Sequence, residues 1–166
     1  LYVIDEKTVR KACEAYRESL KKFYPGRSLA LYASKANSSL AISSLISSEH
    51  LGVDVVSEGE LITALRGGVS NEKIVFHGNN KSEKELLLAY KYGVTIVIDN
   101  QHDIDRLGSI IPCANTPAKL MLRFTPGIEC HTHEYIKTGH IDSKFGFNLE
   151  ELESIFDIIE QEFPDL

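Results

Sequence analysis

Five apolar runs recur along this chain at a near-constant interval, and polar residues gather at the end of each. The runs are SLALYAS (Ser28 to Ser34), GVDVVS (Gly52 to Ser57), KIVFHG (Lys73 to Gly78), TIVIDN (Thr95 to Asn100) and AKLMLRF, centred on Lys119 to Phe124. Their ends, taken at Lys35, Ser57, Gly78, Asn100 and Phe124, lie 22, 21, 22 and 24 residues apart. Each run is mostly apolar and rich in β-branched or aromatic residues, the composition of strands covered on both faces. A chain with this rhythm is predicted to repeat a βα unit, with parallel strands joined by right-handed crossovers.

The intervals between the runs carry helix punctuation. Ser57-x-x-Glu60 and Ser82-x-x-Glu85 have capping-box spacing, in which hydroxyl and carboxylate satisfy the first free amides of a helix. Gly93 follows Ala-Tyr-Lys-Tyr and suits the left-handed position that ends one. Ahead of the alternation, the pattern predicts a lead-in strand from Tyr2 to Ile4 and a long helix from about Glu6 to Lys22. Val9, Cys13, Tyr16, Leu20 and Phe23 are expected to form the packed stripe of that helix.

Polar residues at many strand ends (Lys35, Asp54 with Ser57, His77 with Asn79 and Asn80, Asp99, Arg123) favour a (β/α)8 barrel over an open sheet. A barrel builds its site from many strand ends; an open sheet uses one switch point. Five units do not close a barrel. Eight units of ~22 residues plus the lead-in need roughly 200 residues, so the 166 residues here predict a cut chain with about three units beyond it. The fold expected is α/β, a partial TIM-type barrel of about five βα units preceded by a strand and a helix.

Composition narrows the class further. A net charge of -6 and pI near 5.5 argue against a dedicated nucleic-acid binder. No apolar run approaches the 18 or so residues of a membrane span, and the charged start does not read as a secretory signal. Cys13, Cys113 and Cys130 are odd in number, scattered and free of any CxxC, the pattern of reduced cytosolic thiols.

Several residues could carry chemistry. Lys35 closes the first run in Tyr32-Ala33-Ser34-Lys35-Ala36-Asn37. A lysine there is either solvated or partly desolvated; desolvation lowers its pKa and frees the amine to form an imine. Asp54 is either a carboxylate near a helix entry or a site residue, whereas Ser57 is explained as a cap. His77 ends the third run; Lys81 and Ser82 are expected to begin the next helix. Arg123 needs an anionic partner, in a structural ion pair or at a ligand. Cys130, His131, His133, Glu134 and His140 could supply metal ligands in number, but their spacing matches no zinc signature, and no metal is expected.

Taken together, YASKANS, DVVSEGEL, VFHGNNKS and HTHEYIKTGHIDSKFGF resemble the diaminopimelate decarboxylases. These are pyridoxal-phosphate enzymes whose cofactor domain is a barrel like that of alanine racemase. The resemblance runs from Leu1 to about Phe147; YAxKAN marks the wider superfamily, and HGNNKS and HTHEYIKTG are narrower. It implies that Lys35 is the Schiff-base lysine, catalytic and cofactor-binding, and that Asp54, His77 and Arg123 also bind pyridoxal 5'-phosphate. It implies that the His131 to His140 segment is a loop over the active site, anchored by Lys144-Phe145-Gly146. The reaction implied converts meso-2,6-diaminopimelate to L-lysine and carbon dioxide, in a cytoplasmic homodimer, or in plastids if the source is a plant. The partner of the ring nitrogen, the glycine-rich phosphate site, a ring-stacking histidine and a β-domain would all lie beyond Leu166. The alternatives are a related ornithine, arginine or carboxynorspermidine decarboxylase, or a non-catalytic regulatory relative.

Overall fold

In the computed structural model, which describes residues 3–111, 118–126 and 145–163, Asp5 opens the first helix. Its carboxylate accepts from the Lys7 N–H at 3.2 Å, an N-cap on α1 (Glu6–Phe23). Glu6 sits in the first turn and Lys21 and Lys22 in the last, each complementing the helix dipole. The expected lead-in strand does not form over the described part of its span. Val3 and Ile4 are exposed and non-strand, and Tyr2 lies outside the described residues. Two apolar side chains do not make a strand where no neighbour among the described residues pairs with them.

The stripe on α1 also differs from expectation. Cys13 is buried and Val9, Arg17 and Leu20 are half-buried, but Tyr16 and Phe23 are 67% and 75% exposed. At about 100° per residue, Arg17 lies about 40° to one side of the buried Cys13, while Tyr16 and Phe23 lie about 60° and 80° to the other. The packed face turns toward Arg17 because Glu49 draws it there. Arg17 Nη1 lies 2.7 Å from one Glu49 carboxylate oxygen and Arg10 Nη1 2.5 Å from the other. The two guanidiniums hold the Glu49 carboxyl below its ordinary range, and Arg17 contributes most.

The chain divides within its third strand into two units, Leu1–Val75 and Phe76–Leu166. In the first, α1 is followed by β1 (Leu31–Ala33), α2 (Leu40–Ser48), β2 (Gly52–Val55), α3 (Glu58–Arg66) and the start of β3 (Ile74–Phe76). Strand order follows chain order. β1 and β2 are parallel, pairing Leu31 with Gly52, Tyr32 with Val53 and Ala33 with Asp54. The core of this unit is aliphatic: Ile46, Val53, Val55, Leu61 and Ile74 are at most 1% exposed.

The second unit takes the end of β3, then α4 (Glu83–Tyr92), β4 (Thr95–Ile98), α5 (Gln101–Ile110), β5 (Lys119–Leu122), β6 (Phe124–Thr125), β7 (Phe147–Asn148) and α6 (Leu152–Glu162). Ser82 and Glu85 form the full capping box on α4, and Gly93 ends that helix at φ 64°. The first box is only half realised. Ser57 accepts from the Glu60 N–H, but the Glu60 carboxylate is committed elsewhere. β4 and β5 are parallel over four residue pairs, from Thr95 with Lys119 to Ile98 with Leu122. β4 is covered as expected, but β5 alternates, and Met121 is 50% exposed. The fold class is α/β with parallel strands and a repeating βα unit. No described helix is long and apolar enough to cross a membrane.

Candidate active-site residues at the strand ends

β1 runs directly into a 3-10 turn, Ser34–Ala36, that carries Lys35. The backbone of this turn is fastened on both sides. Ser34 is buried, and its hydroxyl donates to Glu60 Oε2 at 2.6 Å. The same oxygen accepts the Val56 N–H at 2.8 Å, so one carboxylate ties together the ends of β1 and β2. The Tyr32 hydroxyl donates to the Asn37 carbonyl at 3.2 Å across the turn, and burial pushes its phenol pKa up. Between these ties the Lys35 side chain is exposed, with no hydrogen bond or ion pair to the described residues. The chain around it therefore fixes where the amine starts without engaging the amine.

Asp54 is half-buried within β2 and pairs in register with Ala33, two residues before Lys35. It belongs to the strand itself, three residues ahead of the Ser57 cap. Parallel pairing thus brings the lysine turn and the carboxylate to neighbouring strand ends.

In the second unit, His77 follows β3 directly and is half-buried. Gly78, next to it, has φ 109°, a conformation that L residues rarely adopt. Arg123 follows β5 and is fixed from three sides. Its N–H donates to the Ile98 carbonyl at 3.0 Å, and its guanidinium Nη1 lies 2.8 Å from Asp99 Oδ1. The guanidinium also lies 4.6 Å over the Phe145 ring, a cation–π contact. The anionic partner that the sequence demanded of Arg123 is therefore Asp99, which is 1% exposed at the end of β4. Phe145 and Gly146 lead into β7: the Thr125 hydroxyl donates to the Phe145 carbonyl, and the Phe147 N–H to the Arg123 carbonyl at 2.9 Å. A Cβ on Gly146 would come within 2.8 Å of that same Arg123 oxygen.

Lys81 stands just before the Ser82 cap, where the next helix is expected to begin, and it is 1% exposed, with Nζ 2.7 Å from Asp103 Oδ2. Its position just before the Ser82 cap turns it under the loop, where Asp103, in the first turn of α5, meets it. Asp99 and Asp103 are polar residues whose partners the sequence alone left unassigned, and Glu60 is one whose carboxylate it assigned to a capping box. Cys130, His131, His133, Glu134, His140 and Lys144 lie outside the described residues. Among those described, no three potential metal ligands cluster.

Residues 6–163 match the family model for the pyridoxal-dependent decarboxylase, pyridoxal binding domain. The chain is 49% identical over 170 residues to diaminopimelate decarboxylase of Synechocystis, covering 98% of this chain and 36% of that protein. It is 43% identical over 150 residues to the Bacillus subtilis enzyme of the same name, covering 90% of this chain and 34% of that one. Among solved structures, Helicobacter pylori diaminopimelate decarboxylase complexed with L-lysine superimposes with a TM-score of 0.88 at 32% identity. That match takes in 95% of this chain and 40% of the other. The chain thus spans a little over a third of its relatives' length and carries the fold of the corresponding part. It belongs to the pyridoxal-binding domain family of the pyridoxal-dependent decarboxylases.

Proposed function

We propose that this chain is the first part of the pyridoxal-phosphate-binding barrel of a diaminopimelate decarboxylase. In this reading the remaining barrel units and a β-domain are supplied by further sequence. The whole enzyme removes one carboxyl group from meso-2,6-diaminopimelate, giving L-lysine and carbon dioxide, and works as a cytoplasmic homodimer. The observation that supports this best is Lys35: a primary amine with no partner among the described residues, exposed at a strand end, on a turn held by Glu60 and Tyr32. A donor set of that kind fits a carbonyl cofactor that must be held covalently and later released.

When bound, pyridoxal phosphate supplies the electron sink that accepts the pair left at the α-carbon as carbon dioxide departs. The residues of this chain hold it and manage charge and protons. Lys35 Nζ would hold the cofactor covalently and, when released, would be free to carry a proton. Asp54 presents a carboxylate at the neighbouring strand end and orients the lysine region. Arg123 brings a fixed cation, balanced by Asp99 and stacked on Phe145. His77 contributes an imidazole at the end of β3.

The specificity half of the proposal is tested with the full-length protein. kcat/KM is measured on meso-2,6-diaminopimelate, ornithine, arginine and lysine. A substrate with two amino-acid heads is gripped at both ends, so the shorter or singly headed compounds leave buried polar groups unpaired. Efficiency on them should fall by at least about a hundredfold. Equal or higher efficiency on ornithine or arginine would assign the chain to that related decarboxylase class instead.

A further inference from the structure

The second unit carries a buried charge cluster that the proposed chemistry leaves unused. Lys81 and Asp103 are 1% and 0% exposed and lie 2.7 Å apart. Removing two charges from water costs about as much as their attraction returns, and apolar residues of similar volume often serve stability equally well. The other contacts of the pair indicate what it does.

Lys81 Nζ also donates to the Gly78 carbonyl, beside His77, at the position where the backbone takes φ 109°. Asp103 Oδ2 also accepts the Asp99 N–H at 3.0 Å, and Asp99 is the residue that holds Arg123. Two neutral contacts lace the same loops: Asn100 Nδ2 donates to the Asn79 carbonyl at 3.1 Å, and Asn100 Oδ1 accepts the Asp103 N–H at 3.2 Å. Arg106, one turn on from Asp103, donates to the Lys81 carbonyl.

We propose that the Lys81–Asp103 pair is a positioning device for the strand-end residues of this unit. Through Gly78 it sets the turn that presents His77. Through the Asp99 amide it fixes the carboxylate that aims Arg123. Neither residue is assigned contact with substrate or cofactor. This inference rests on the reading of His77 and Arg123 as cofactor residues.

A double-mutant cycle in the full-length protein tests it, with the dissociation constant for pyridoxal phosphate as the readout. Asp103→Asn keeps an acceptor for the Asp99 amide but removes the charge that holds Lys81. It should weaken cofactor binding about tenfold in the wild-type background and hardly further in a His77→Ala background, because the turn at Gly78 is the arm it disturbs. A structural role alone would give the same factor in both, and that result overturns the proposal. Should Asp103→Asn fail to fold, Lys81→Met/Asp103→Leu removes both charges together. That variant should melt within a few degrees of the wild type yet bind the cofactor about tenfold more weakly; wild-type binding would overturn the proposal. Borohydride labelling of the wild-type protein separates the two levels. Absence of label at Lys35 overturns the functional reading and this inference with it. Label at Lys35 together with unchanged cofactor binding in the variants overturns this inference alone.

Discussion

The Ser34 hydroxyl donates to Glu60 Oε2 at 2.6 Å, joining the residue before Lys35 to the first turn of α3. Because that oxygen also accepts the Val56 N–H, Glu60 is shared by two strand ends. Sequence spacing assigns Glu60 to a capping box, and the structure diverts it from that task to the lysine turn. A charged acceptor serving one partly buried and one exposed donor contributes on the order of 1–2 kcal/mol. Glu60→Ala should therefore lower the melting temperature of the full-length protein by several degrees, and Glu60→Gln by less.

Glu49 makes the docking of α1 sensitive to acid. Its carboxyl titrates below the ordinary glutamate value near 4.5 because Arg17 and Arg10 bond to it. A carboxyl whose folded pKa is depressed adds stability above its unfolded pKa and loses it as pH falls through the folded one. Stability measured by thermal melts should thus decline below about pH 4.5, and Glu49→Gln should flatten that decline while lowering stability at neutral pH.

Gly52, in register with Leu31, has no room for a side chain. A Cβ there would meet the Lys73 carbonyl and come within 2.5 Å of Leu31 Cδ2. Gly52→Ala should cost about 1–3 kcal/mol by overpacking, read as a lower melting temperature. Gly59→Ala, whose added methyl meets nothing closer than 3.9 Å, is the matched control and should melt no lower than the wild type.

The βα rhythm was legible because each unit carries its own local signals: Ser57 and Ser82 as caps, Gly93 as a left-handed stop, and apolar runs between them. Lys35 and Arg123 were legible as charged residues at strand ends. Their neighbours were not, because those depend on register. Asp54 reaches the lysine turn only through the pairing of Ala33 with Asp54, and Asp99 meets Arg123 beside the parallel pair of β4 and β5. The partner of Lys81 was hidden for the same reason, since Asp103 lies 22 residues on and meets it only in the fold. On α1, apolar spacing favoured Tyr16, but an ion pair rotated the packed face toward Arg17.

The central claim is that Lys35 carries the cofactor. Borohydride reduction of the full-length protein loaded with pyridoxal phosphate, followed by peptide mapping, tests it directly. The account predicts one pyridoxyl group on the peptide containing Tyr32-Ala33-Ser34-Lys35-Ala36-Asn37, and none after Lys35→Ala. A label on Lys81, Lys73 or any other lysine, with Lys35 unmodified, would contradict it.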